Sequence, residues 1–181
     1  MKTSKQEALW ILRAQSGDLE ALDSLLEGVQ GSLFRLIRGI VGDHALSEDV
    51  LQDVLVLVCR KLKWLREPRL FHSWAFRIAS REAIRCVRRE RRWRRQMVEE
   101  ESLEEVADNT PSPADFAVRI AELPALVESV PPASRAVLLL HYQEEHSLQE
   151  VADVLGLPLG TAKSRLAYGL SILRSKKHPK H

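Results

Sequence analysis

Between residues 147 and 173, two helical stripes of apolar residues are separated only by Gly156-Leu157-Pro158. Leu148, Val151, Ala152 and Leu155 follow the i, i+3, i+4, i+7 spacing of one helix face. Ser147 and Glu150 form a capping-box pattern ahead of them. Gly156 supplies a residue that tolerates positive φ where the first helix must stop, and Pro158 pre-sets entry into the next. The second stripe is Leu159, Ala162, Leu166, Leu170 and Leu173, and small Ala152 lets the two helices cross closely. The pattern predicts a helix-turn-helix over 147–173.

In such a unit the N-terminal end of the second helix enters a DNA major groove. The residues there that the core does not need are Gly160, Thr161, Lys163 and Ser164, with Arg165 on the flank. Short Thr and Ser allow the backbone to approach phosphate, while Lys and Arg reach guanine edges or phosphates. The competing reading is a structural helical hairpin whose charges are merely solvated.

The rest of the chain reads the same way. There is hardly any period-2 alternation, and Pro and Gly fall between helical runs, so the fold class is all-α. Ser4 with Glu7 predicts a capped first helix ending near Gly17, and Asp18 a capped second helix that ends at Gly42-Asp43. Gly28, Gly31 and Gly39 are expected to weaken or bend that second helix. Ser47 is expected to cap a third, and a long helix runs from about Ser73 to Arg95 with Phe76, Ala79, Ala83 and Val87 as its apolar stripe. Residues 96–113 read as an acidic flexible linker. Helices resume over about 114–129 and 132–143. The expected organisation is two small helical domains, 1–95 and 114–181, joined by that linker.

A net charge of +2 conceals strong segregation. Arg81 to Arg95 holds eight Arg and two Glu, Glu99 to Glu128 nine acids and one Arg, and Lys163 to Lys180 six bases and no acid. A basic block, an acidic block and a basic tail suggest two cationic modules with an anionic linker between them. Cys59 and Cys86 are far apart, which suits buried thiols in a reducing cytoplasm better than a disulfide or metal site. No metal or other cofactor is expected, because the six His make no ligand spacing and His141 and His146 have no Cys nearby. With no Gly-rich phosphate loop and no nucleophile elbow, the chain is not expected to be an enzyme. No apolar run approaches the roughly 18 residues of a membrane span, so no membrane insertion is expected.

At this point two stretches carry a resemblance. "VPPASRAVLLLHYQEEHSLQEVADVLGLPLGTAKSRLAYGLSILR" is similar to the C-terminal, promoter-reading domain of bacterial sigma factors of the extracytoplasmic-function group. "SEDVLQDVLVLVCRKL" and "FHSWAFRIASREAIRCVRRERR" resemble that group's other conserved domain, in family order. The resemblance implies a subunit that joins core RNA polymerase, through its clamp helices and flap, and reads the −35 and −10 elements of promoter DNA. An anti-sigma protein is a further implied partner.

The resemblance also assigns residues. The polymerase-docking patch maps onto Glu48, Asp49, Gln52 and Asp53, of which 49, 52 and 53 share one helix face. First-turn acids that favour the helix dipole are the alternative account of Glu48 and Asp49. The loop that captures an unstacked −10 base corresponds to Lys63 through His72, with Lys63, Trp64, Arg66, Arg69, Phe71 and His72 as its contact residues. Trp64 and Phe71 are the aromatic faces on offer, whereas Trp74 and Phe76 are expected in the core. Arg81, Arg85, Arg88 and Arg89 are expected on −10 DNA, with Arg91 and Arg92 adding phosphate contacts. Pro158, Gly160, Thr161, Lys163, Ser164, Arg165 and Tyr168 are expected on −35 DNA.

The chain departs from the family pattern in two places. Arg81 and Arg85 stand where a neutral amide and an acid are usual, and Ala167-Tyr168-Gly169 replaces a bulky or basic pair followed by Ala. Gly169 inside a helix costs about 1 kcal/mol relative to Ala. These departures keep a second reading open: a divergent DNA-binding regulator, or a decoy for an anti-sigma protein, that does not initiate transcription.

Overall fold

The computed structural model describes residues 4–97 and 127–177, all helix and connecting turns. The first module contains α1 (Lys5–Gln15), α2 (Leu19–Val41), α3 (His44–Lys61) and α4 (Phe71–Met97). Short 3₁₀ turns at Leu62–Trp64 and Pro68–Leu70 join α3 to α4. The second module contains a 3₁₀ turn at Val127–Ser129, α5 (Pro132–Leu138), a wider π-type turn at Leu139–Gln143, α6 (Leu148–Leu155) and α7 (Leu159–Lys177). The expected linker and the expected helix over 114–129 lie outside the described residues, except that 96 and 97 belong to α4 and 127–129 form the 3₁₀ turn.

Local chemistry sets the boundaries. The Ser4–Glu7 capping box forms, with Glu7 N–H donating to Ser4 Oγ at 3.0 Å and Ser4 N–H to Glu7 Oε2 at 2.6 Å. Asp18 accepts from Ala21 N–H at 3.0 Å at the start of α2. Gly42 ends α2 at φ 89°, a conformation that L side chains rarely adopt. Ser47 does not cap α3: Asp43 does, accepting from Leu46 N–H at 2.8 Å, and Ser47 is buried one turn inside with its hydroxyl donating to the Asp43 carbonyl.

The glycines of α2 are not a break, since the helix runs unbroken for 23 residues. Gly39 is a contact instead. A Cβ placed there would lie 2.7 Å from Leu139 Cδ1, so only glycine lets the second module come this close. Gly169 does the same inside the second module, where a Cβ would meet Leu138 Cδ1 at 2.8 Å.

These contacts unite the two modules around one continuous core. Leu33, Leu36, Ile37 and Phe76 of the first module and Leu138, Leu139, Leu140 and Val154 of the second are fully buried within it. Burying each large aliphatic side chain contributes roughly 1.5–3 kcal/mol. Polar groups fasten the seam. Arg135 on α5 is buried and donates to the Ile40 carbonyl at 2.6 Å. Arg77 on α4 donates from Nε to the Val154 carbonyl at 3.0 Å and from Nη2 to the Asp153 carbonyl. Each module thus lends an arginine to the C-terminal turn of a helix in the other, where carbonyls lack intrahelical partners and the dipole favours a cation. Arg35 and Glu144 add an ion pair at 3.5 Å, and the His146 ring stands edge-on to Phe76, 5.5 Å between centroids.

Candidate nucleic-acid and partner interfaces

The helix-turn-helix has the geometry its sequence predicts. Ser147 caps α6 in a full capping box, its N–H donating to Glu150 Oε2 at 2.8 Å. Those bonds hold the Glu150 carboxyl below its ordinary range. Gly156 takes the left-handed conformation at φ 66° and ends α6, and α7 begins at Leu159. Ala152 on α6 and Ala162, Leu166 and Leu170 on α7 are all buried, as the two stripes predict. Pro158, Gly160 and Lys163 are exposed at the start of α7, with Thr161, Ser164, Arg165 and Tyr168 half-buried beside them. Ser164 Oγ donates to the Thr161 carbonyl at 3.1 Å, which keeps that turn narrow.

On α3 the two faces separate cleanly. Val50, Val54 and Val58 are buried, while Glu48, Asp49, Gln52 and Asp53 all face outward. Because α3 starts at His44, its first turn contains no acid. The helix-dipole account of Glu48 and Asp49 therefore loses its basis. Glu48 lies 3.6 Å from His44, an exposed pair of little energetic weight. Val56, 48% exposed, continues the 49, 52, 53 stripe by one turn and gives the patch an apolar end. Its i+7 spacing from Asp49 is the one sequence signal for it.

The loop between α3 and α4 is held from below by Gln15, whose Nε2 donates to the Leu62 and Leu65 carbonyls at 2.9 and 2.7 Å. Leu62 and Leu65 point inward and are buried, so the loop turns Trp64 outward at 73% exposure. Lys63 Nζ lies 5.2 Å from the Trp64 ring centroid, a cation–π contact at the surface. Arg66 and Arg69 are exposed, Arg69 next to Glu67 at 3.1 Å.

Two expected contact residues are corrected here. Phe71 is completely buried and His72 is 4% exposed, because α4 begins at Phe71 and its first turn drops into the core. Phe71 therefore presents no stacking face. His72 Nε2 lies 3.1 Å from Glu7 Oε1, bracing α1 against α4. Burial pushes the His72 imidazole below its ordinary pKa, and the adjoining Glu7 carboxylate opposes that only in part. Phe76 is fully buried as expected, and Trp74 is half-buried against the core.

Along α4, Arg81, Arg85, Arg88 and Arg89 are exposed, as are Arg91 and Arg92. Arg85 pairs with Glu82 at 3.1 Å. Trp93, 60% exposed, stands among these arginines, an aromatic surface that sequence reasoning left out. A Cβ on Gly156 would be 3.7 Å from Arg81 Nη2. The turn of the helix-turn-helix therefore rests against the arginine row of α4, and the two candidate DNA surfaces adjoin one another. That adjacency, and the arginines Arg77 and Arg135 that fasten it, had no sequence motif.

Comparison with known proteins fits this geometry. Residues 25–93 match the family described as Sigma-70 region 2, and residues 120–173 match Sigma-70, region 4. "Probable RNA polymerase sigma factor RfaY" of Xanthomonas campestris is 30% identical over 90% of this chain and 42% of its own length. "ECF RNA polymerase sigma factor SigE" of Mycolicibacterium smegmatis is 30% identical over 88% of this chain and 63% of its own. The chain thus spans about half of the length of these two relatives. Among solved structures, CnrH in complex with the cytosolic domain of CnrY superimposes with a TM-score of 0.70 at 21% identity, over 98% of this chain and all of that one.

Proposed function

The chain belongs to the sigma-70 family, in its extracytoplasmic-function group, and on that premise we propose that it is a promoter-recognising initiation factor for RNA polymerase. Its role is non-catalytic: it joins core polymerase in the cytoplasm and directs it to DNA. Residues 1–95 form the polymerase- and −10-binding domain and 114–181 the −35-binding domain. Lys163, Ser164 and Arg165 at the start of α7 read the −35 duplex in the major groove. Trp64 stacks on an unpaired base of the melted −10 strand, and the α4 arginines hold its phosphates. Reading both elements requires the modules to part, since in the closed arrangement the turn at Gly156 adjoins Arg81. An anti-sigma protein that holds the modules closed fits this scheme; the CnrH structure is likewise that of a complex.

The observation that carries the reading is the outward face of Asp49, Gln52 and Asp53, two acids and an amide that make no ion pair on α3 among the described residues. Purified chain and an Asp49→Arg/Asp53→Arg variant, both checked for helical content, are to be assayed for binding to core RNA polymerase. Binding by the first and at least tenfold weaker binding by the second is expected. A folded chain that does not bind core polymerase overturns the proposal and leaves a DNA-binding regulator or decoy.

A further inference from the structure

A cleft of about 590 Å³ opens between α4 and the second module. Its walls carry Arg81, Arg85, Arg88, Arg89 and Arg92 from α4 and Arg165 from α7, with no acidic side chain lining it among the described residues. Arg81, Arg85, Arg88 and Arg92 recur at i, i+4, i+7 and i+11, so they form one row about 16 Å long at the 1.5 Å rise of a helix. Arg165 closes the row from the opposite side. Arg85 is matched by Glu82, but Arg81, Arg88, Arg92 and Arg165 make no ion pair among the described residues. Burial and the facing charge of Arg88 both lower the pKa of Arg165.

The closed arrangement therefore brings like charges together across its own seam, which costs free energy that an anion in the cleft would recover. We propose that this cleft is a binding site for a linear oligophosphate, gripped at once by guanidiniums of both modules, whose occupancy fastens the modules closed. Three features select this ligand chemistry. Guanidinium forks match phosphate oxygens in pairs. The cleft has the volume of a small-molecule site rather than of a duplex. Ile84 and Ala133 are the only apolar residues lining it among the described residues, and the rest of its wall is arginine, which favours a compact anion over a peptide that must bury apolar side chains. Because the ligand binds the closed form better than the open one, it shifts the population toward closure and away from DNA.

The test uses inorganic tripolyphosphate as probe and the full chain, with sulfate at matched ionic strength as the comparison. Calorimetric titration is expected to show one site at least tenfold tighter for tripolyphosphate than for sulfate. Arg88→Ala and Arg165→Ala, one from each wall, are each expected to weaken it at least tenfold, and both residues lie outside the core. Gly39→Val forces Leu139 away and spreads the seam while leaving the α4 row intact; with helical content preserved, it is expected to weaken binding similarly. Tripolyphosphate no tighter than sulfate overturns the proposal. Loss in Arg88→Ala with less than twofold change in Arg165→Ala also overturns it, since the anion would then sit on α4 alone. No polymerase or promoter enters these measurements, so their outcome is independent of the initiation assay.

Discussion

Arg135 of α5 places its Nη1 2.6 Å from the carbonyl oxygen of Ile40, in the last turn of α2. Its Nε and Nη2 also donate to the Val130 carbonyl, at 3.2 and 3.1 Å. One side chain therefore ties the entry to α5 to the far module. Replacing it by methionine keeps much of the apolar stem but leaves buried carbonyls unpaired, at about 1–3 kcal/mol. Urea unfolding of Arg135→Met is expected to show that loss, together with faster proteolysis at the seam. An unchanged midpoint would mean that the Arg135 bonds contribute no net stability.

Gly28 and Gly169 separate helix propensity from packing. Gly28 lies on an exposed face of α2 with nothing within 4 Å of a built Cβ, so Gly28→Ala is expected to stabilise by about 0.5–1 kcal/mol. Gly169→Ala gains the same propensity but drives a methyl into Leu138, and such overpacking costs about 1–3 kcal/mol. Thermal unfolding of the two variants should therefore move in opposite directions. The departure at 169 is then a packing requirement, not a weakness of the recognition helix.

Trp64 and Phe71 make a matched contrast. Trp64→Ala removes an exposed ring, so stability should change little. Its affinity for a single-stranded −10-like oligonucleotide should fall by the roughly 1–3 kcal/mol of one stacked base. Phe71→Ala empties a core position and is expected to cost about 3–5 kcal/mol of stability. Fluorescence titration and denaturant unfolding of both variants check this assignment; equal loss of DNA affinity in folded Phe71→Ala would contradict it.

Stability should fall in mild acid through His72. Its folded pKa is depressed, chiefly by burial, so the unfolded chain binds the proton more readily. Stability is therefore full above the ordinary His pKa of about 6.5 and declines as pH falls from there toward the lower folded value. At Glu7 desolvation is the largest single influence and raises the pKa, but the Ser4 and His72 contacts together outweigh it and leave the pKa lowered, which adds a second decline below the ordinary Glu range. Unfolding free energies of the chain and of His72→Gln across this range should differ in slope below about pH 6.5 and run parallel above it.

The helices and their caps were legible because capping and periodicity act within a turn or two. Ser147, Glu150 and Gly156 announce the helix-turn-helix in a dozen residues. The cap of α3 was misplaced because Asp43 and Ser47 are both good capping residues, and only burial of Ser47 decides between them. Phe71 was read as exposed because the start of α4 was set two residues late, which turns the wrong face outward. The seam escaped altogether. Arg135 sits in an apolar run whose periodicity puts it inside, yet nothing local says that its partner is Ile40, 95 residues away.

The consecutive leucines at the end of α5 have divided loyalties. Leu138 seats on Gly169 of its own module, and Leu139 on Gly39 of the other. Internal architecture and inter-module grip are thus written in adjacent codons. Deleting a single residue just ahead of them would carry Leu139 onto the Gly169 socket and Leu140 onto that of Gly39, so the fit inside the second module and the grip between the halves would change together.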